Sequence, residues 1–221
     1  MVDQPHLHRS AEIEDLAHLT PEDINKPLID NEQKSKQALI IVDIQNDYFP
    51  GGKWVLNGIN AAADNAARLI SSARASDDLI IHIRHEFPTN DAPFFAKGSN
   101  GVQIHSKVQN REDEHVIVKN HINAFRETKL KDILDRNEIR NIVICGAMSH
   151  MCIDAITRAA HDFGYNCILI HDACASRELQ FNGITVPAEH VHAAFMSALD
   201  FAYAKTISTQ EFLKDKKNLK L

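Results

Sequence analysis

Three side chains of this sequence could do chemistry together: Asp43, Lys119 and Cys152. Asp43 follows the apolar run Ala38-Leu39-Ile40-Ile41-Val42, and Lys119 follows His115-Val116-Ile117-Val118. Cys152 lies just beyond Ile142-Val143-Ile144-Cys145, after Gly146-Ala147-Met148-Ser149-His150-Met151. A cysteine becomes a strong nucleophile once it loses its proton. A carboxylate can take that proton and later deliver it to a leaving group. An ammonium beside both would hold their negative charge and favour the thiolate. With Ser149 as the cap of a helix, Cys152 is its third residue. There the helix dipole favours a thiolate, and free N–H groups can receive an oxyanion. The other reading of Cys152 is a small inert side chain under a sheet, the usual fate of a lone cysteine.

For these residues to meet, the elements before them must end on one rim. The apolar runs named above, with Leu79-Ile80-Ile81-His82-Ile83 and Cys167-Ile168-Leu169-Ile170, are rich in branched residues and lack polar alternation. Strands covered on both faces of a parallel sheet look like this. Between them lie helical stripes: Ala62, Ala63, Ala66, Ala67 and Ile70 within 60–75, and Leu130, Ile133 and Leu134 behind a Thr128 cap. A third runs from Ser149 to Phe163, carrying Ile153, Ile156, Ala160 and Phe163 and closed by Gly164. Pro187 opens a last long helix with Val191, Phe195, Ala198 and Ala202, and Thr206-Ile207-Ser208 is a short sixth strand. Alternating strand and helix predict a three-layer α/β/α fold with a mainly parallel sheet of about six strands. In such folds ligands sit beyond the carboxyl ends of the strands, where Asp43, Lys119 and Cys152 all fall. Residues 1–37 are polar and weakly patterned. They read as an arm with a short helix near Ala11–Leu19 and a helix start at Thr20-Pro21, preceding a domain over 38–221.

Three ordered blocks carry a resemblance that spans most of the chain, from about Ala38 to Tyr203. They are A-L-I-I-V-D-I-Q-N-D-Y-F-P-G-G, K-N-H-I-N-A-F-R-E-T-K-L, and V-I-C-G-A-M-S-H-M-C-I-D-A-I-T-R-A-A-H-D-F-G-Y with H-D-A-C-A-S beyond it. In these blocks the sequence resembles the isochorismatase-like cysteine hydrolase superfamily. The resemblance implies a Rossmann-like sheet and an Asp-Lys-Cys triad, falling here on Asp43, Lys119 and Cys152. It further implies a cis peptide between Ala147 and Met148, and oxyanion donors in the backbone N–H groups of Met148 and Cys152. The family often has serine where this chain has Asn123, and glycine where it has Glu127.

The same family holds amidases, true isochorismatases that cleave a vinyl ether, and nicotinamidases that use a metal. A cysteine at position 152 favours C–N hydrolysis through a thioester over isochorismatase-type chemistry, which often lacks it. Nicotinamidases of the family carry an Asp-x-His pair and a further histidine as metal ligands. After Gly51-Gly52 this chain reads K-W-V-L-N-G-I-N, and its second strand ends I-R-H-E-F, so no metal and no cofactor are expected. Tyr48, Trp54, His85, Phe94, Phe95 and Phe125 are candidates for the substrate pocket. The long segment 86–114 reads as a lid. His161 and His192 sit on helices and read as solvated.

Composition narrows the partners. In 221 residues the formal net charge is −6, which disfavours nucleic acid or an anionic membrane surface. No apolar run approaches the ~20 residues of a membrane span, and the first thirty residues lack a signal-peptide core. Four cysteines without C-x-x-C spacing form no disulfide framework. The expectation is a cytoplasmic enzyme acting on a small molecule, assembled as a homo-oligomer (dimer or tetramer) as its relatives commonly are. The rivals are an idle binding module, which has no need of all three reactive groups, and a thiol redox protein, for which Cys145 and Cys167 sit too deep in strands.

Overall fold

The computed structural model describes residues 36–218; the arm over 1–37, with its two helix starts, lies almost wholly outside them. The apolar runs become parallel strands: β1 (Gln37–Val42), β2 (Leu79–His85), β3 (His115–Lys119), β4 (Asn141–Ala147), β5 (Asn166–Ala175) and β8 (Lys205–Ile207). They form one sheet in the order β3-β2-β1-β4-β5-β8, every pairing parallel. Crossover from the β3 edge back to β4 reverses the direction of winding. β1 and β4 are therefore neighbours at the switch point, beyond whose carboxyl ends folds of this kind bind their ligands.

Two apolar layers sandwich the sheet. Along β1, Leu39 and Ile41 face one side, with α1 (Ile59–Ser76) and Phe212 of α5 (Thr209–Asn218) packed on them. Ala38, Ile40 and Val42 face the other, under α2 (Leu130–Arg136), α3 (Asp154–Asp162) and α4 (Ala188–Ala202). Every residue of β1 after Gln37 is buried, which is why the strand shows no polar alternation. Gly146 is required where β4 meets β1. Its φ is 131°, and a Cβ there would stand 2.0 Å from the Val42 carbonyl oxygen.

Three local features differ from the sequence reading. An antiparallel hairpin of β6 (Leu179–Phe181) and β7 (Ile184–Val186) follows β5. Its strands are too short for a hydrophobic pattern. Its signal is Asn182-Gly183, both at positive φ as tight hairpin turns favour. Helix α5 is also unanticipated, because Phe212 and Leu213 are its main apolar residues. The helix expected to begin at Ser149 opens instead with a π-helical turn over Ser149–Ile153, and only then becomes α3. Phe163 is its C-cap and is half exposed rather than part of the buried stripe. Thr128 does serve α2, its Oγ1 accepting from Leu130 N at 3.2 Å.

Candidate active site

The carboxyl ends of β1, β2, β3 and β4, adjacent strands of the sheet, deliver the reactive groups to one place. Lys119 closes β3 and His85 closes β2, and the two are register partners. Paired residues of neighbouring strands leave the sheet on the same face, here the face that also holds Cys152. Asp43 comes one residue after β1, where simple alternation would send its side chain to the opposite face. Instead it takes φ 52°, ending the strand, while its N–H still donates to Ile83 O at 2.9 Å. The left-handed turn brings its carboxylate to Lys119.

Lys119 is the hub. Its Nζ lies 2.8 Å from Asp43 Oδ2, 3.2 Å from Cys152 Sγ and 2.9 Å from His85 Nδ1. An ammonium has three N–H donors and here faces three acceptors. Asp43, Lys119, Cys152 and His85 are all buried. The contact to Asp43 is ionic rather than a well-aligned hydrogen bond. Among the described residues neither carboxylate oxygen of Asp43 has a hydrogen-bond partner of good geometry, so both keep capacity to accept a proton. The lysine pKa is raised: burial lowers it, but the charges of Asp43 and Cys152 outweigh that.

The helix start and Lys119 favour a thiolate at Cys152, but the rest of its surroundings oppose one. Burial pushes the Cys152 thiol well up, the Asp43 charge pushes it further, and Lys119 only partly opposes them. Cys152 is fourth in the π-helical turn, and its thiol is closed in with an anion. These surroundings favour the protonated thiol, with Lys119 Nζ between its sulfur and the Asp43 carboxylate. Ser149 does not cap this turn. Its Oγ donates to Ala175 O at 3.1 Å and sits 2.8 Å from His192 Nδ1, so His192 is engaged with the sheet end rather than solvated. The Ala147–Met148 peptide preceding the turn is cis.

Aromatic side chains wall the approach. Tyr48 is buried, and its hydroxyl pKa is raised well above the usual value, by burial first and then by the charges of Asp43 and Cys152. Its ring lies 4.6 Å from that of Phe95 and 6.0 Å from that of Phe94. Phe94 stacks on Trp54 at 4.7 Å, and the Arg177 guanidinium covers Trp54 at 4.2 Å. Phe125 packs against Phe163 and Tyr165 in the apolar layer on the face that also holds Cys152. His85 belongs with Lys119 rather than with a solvent-facing loop.

Segment 86–114 is a stapled wall rather than a free lid. The Asp47 carboxylate accepts from Phe95 N at 2.6 Å and Lys53 N at 3.1 Å. Asn46 N donates to Gln103 O, and His105 N to Ile44 O, each at 3.0 Å. Phe95, Val102 and Val108 are buried. Gln45 and Asp47 build this tie, and the sequence reading passed over both. Neither lies on an apolar stripe, and their partners in the wall and at His85 are 40, 48 and 57 residues away.

The remaining thiols carry no comparable site. Cys145, Cys167 and Cys174 are free, and burial raises the pKa of each, Cys167 and Cys174 to about 12. Unlike Cys152, none of the three has a lysine among the groups acting on its sulfur. Among the described residues no group of three or more His, Cys, Asp or Glu side chains is arranged to hold a metal ion. Among them, too, no helix is long and apolar enough to cross a membrane.

Comparison with known proteins gives one consistent answer. The family model described as the isochorismatase domain matches residues 37–211. An uncharacterized isochorismatase family protein, YddQ of Bacillus subtilis, is 47% identical over 80% of this chain and 98% of its own. A provisionally named isochorismatase hydrolase from Oleispira antarctica superposes with a TM-score of 0.80 at 52% identity, covering 82% of this chain and 97% of that one. A streptothricin hydrolase of Streptomyces noursei is 30% identical over 65% of this chain and 51% of its own. More distant matches are a maleamate amidohydrolase of Pseudomonas putida at 24% (83% of this chain, 88% of that one) and nicotinamidase 3 of Arabidopsis thaliana at 23% (76% and 82%).

Proposed function

The chain belongs to the isochorismatase family of hydrolases, and from that premise we propose that it is a cysteine-dependent amidohydrolase cleaving a C–N bond of a small molecule through a thioester. The observation that carries this reading is Lys119 Nζ, within reach of both Asp43 Oδ2 at 2.8 Å and Cys152 Sγ at 3.2 Å in a buried site. The streptothricin hydrolase, maleamate amidohydrolase and nicotinamidase among the relatives support the amide class.

The steps follow from the resting state. Asp43 takes the Cys152 proton as substrate arrives, and Lys119 holds the thiolate. Sulfur attacks the carbonyl carbon, and the oxygen becomes an oxyanion, received by the backbone N–H groups of Met148 and Cys152. Asp43 gives its proton to the departing nitrogen, the C–N bond breaks, and an acyl-thioester stays on Cys152. Asp43 then takes a proton from water, which attacks the thioester. The acid is released, and the proton returns to the Cys152 sulfur. Tyr48, Phe94 and Trp54 form an apolar wall suited to the non-reacting part of the substrate.

The test is a turnover screen over primary amides, lactams, ureido acids and isochorismate, with wild type and Cys152→Ala. We expect hydrolysis of an amide-type compound, a wild-type adduct heavier by the acyl group in rapid-quench mass spectrometry, and turnover lowered by about 10⁴-fold or more in the variant. Isochorismate turnover that survives Cys152→Ala sinks the covalent mechanism in favour of vinyl-ether hydrolysis.

A further inference from the structure

We propose that His85 is a positioning residue for Lys119: its Nδ1 takes the lysine's third N–H and so locks the ammonium between Asp43 and Cys152. The inference rests on the amidohydrolase reading for its catalytic consequence, though not for its geometry. Lys119 Nζ lies 2.9 Å from His85 Nδ1. A protonated lysine has no lone pair, so Nδ1 must accept, and the ring proton must sit on Nε2. The ring is therefore neutral and of one tautomer.

Without a third acceptor, an ammonium bonded only to Asp43 and Cys152 is free to swing about its long stem and slide toward the carboxylate, its stronger partner. His85 removes that freedom, because it bonds from the strand register partner and on the same face. Neutrality is essential, since an imidazolium would present a donor and a like charge to the lysine. Burial and the Lys119 charge enforce it, holding the His85 pKa down to about 4. The charged or titratable groups facing the ring are Lys119, Asp43 and His121. Its other neighbours are the Phe87 ring at 4.6 Å and the Phe95 ring at 6.2 Å.

His85 is itself held in place. The buried Gln45 amide clamps its backbone, Nε2 donating to His85 O at 2.8 Å and Oε1 accepting from His85 N at 2.8 Å. The same Nε2 donates to Val102 O at 2.7 Å, tying in the wall segment. A rigid chain thus runs from Gln45 through His85 to Lys119 and on to the reacting pair. The clamp fixes the backbone from which the ring reaches Lys119.

The experiment combines substitution with spectroscopy. Asparagine places an acceptor close to the Nδ1 position of histidine, whereas glutamine reaches toward the Nε2 position and leucine offers none. On the best substrate from the screen, His85→Leu and His85→Gln should lower kcat by about 10- to 100-fold with little change in KM, the size expected of a misplaced group. His85→Asn should recover most of the rate. In parallel, ¹H–¹⁵N correlation spectra of wild type labelled in histidine should give His85 as the Nε2–H tautomer, unchanged from about pH 8 to pH 5. Equal losses in the Asn and Leu variants, an Nδ1–H tautomer, or titration at the ordinary histidine value would each overturn the proposal. Should the Leu variant fail to fold, the wild-type spectrum decides alone. The spectrum needs no turnover, so an empty substrate screen would sink the amidohydrolase reading while leaving this inference to stand or fall separately.

Discussion

Lys119 Nζ and Asp43 Oδ2 stand 2.8 Å apart with both side chains fully shut off from solvent. Two charges in such a place stabilise one another only as a pair, because neither has water to fall back on. Cys152 adds a third group to the same enclosure, and the site's protonation state is a property of all three.

Removing one member of the pair should therefore be felt throughout the fold. Lys119→Met is expected to lower unfolding free energy by about 3–5 kcal/mol in urea titrations near neutral pH, since it leaves a buried carboxylate alone. The double variant Asp43→Asn, Lys119→Met should recover much of that loss. Equal destabilisation of single and double variants would show that charge pairing is not what the site rests on.

Cys152 should alkylate slowly at neutral pH. Its thiol is held protonated by burial and by Asp43, so the iodoacetamide rate, read by peptide mapping, should keep rising beyond pH 9. Asp43→Asn removes the opposing charge and should move the rise to lower pH. A plateau already reached near pH 7 in wild type would mean a resting thiolate and contradict this account.

Acid should weaken the protein partly through Glu114. Burial alone would raise its pKa, but Arg74, the backbone of Arg111 and His82 hold it down to about 2. Arg74 Nε lies 2.6 Å from Oε1, and His82 Nε2 lies 3.0 Å from Oε2. The folded pKa is below the unfolded value, so the stabilisation is complete above about pH 4.5 and fades as pH falls toward about 2. Melting curves of wild type and Glu114→Gln should differ most near pH 6 and draw together as pH falls toward about 2. A gap that stays constant across that range would rule the linkage out.

Glu127 sits at φ 55°, where the family resemblance places glycine. A side chain there costs about 1–2 kcal/mol in backbone strain, and glycine returns about 0.5–1 kcal/mol of that as chain entropy. Its exposed contacts, to His121 at 3.0 Å and Arg126 at 3.5 Å, stabilise little. Glu127→Gly should thus raise the melting temperature by about 2–4 °C at most. A clear drop in melting temperature would show that the surface ion pairs outweigh the strain.

The parallel sheet was legible because its strands are covered on both faces. Burial of Ala38, Ile40 and Val42 under one layer and Leu39 and Ile41 under the other leaves a continuous apolar run, which a reader of sequence can see. The hairpin 179–186 and helix α5 were not, because three-residue strands and a helix with two main apolar contacts leave almost no periodic trace. Asn182-Gly183 was the one local sign of the hairpin, since its turn needs residues tolerant of positive φ.

For the site, the sequence by itself determined which strand ends carry Asp43, Lys119 and Cys152, because strand ends follow directly from the apolar pattern. What only the tertiary structure decided is how those groups face one another. Strand register set His85 beside Lys119 instead of at a solvent-facing turn, and a left-handed residue turned Asp43 across the sheet to the same ammonium. It also set the surroundings of the thiol. A helix start and a lysine, read along the chain, favour a thiolate. Enclosure with a carboxylate, visible only in three dimensions, favours the thiol, because desolvation and like charge depend on what surrounds a group rather than on what precedes it.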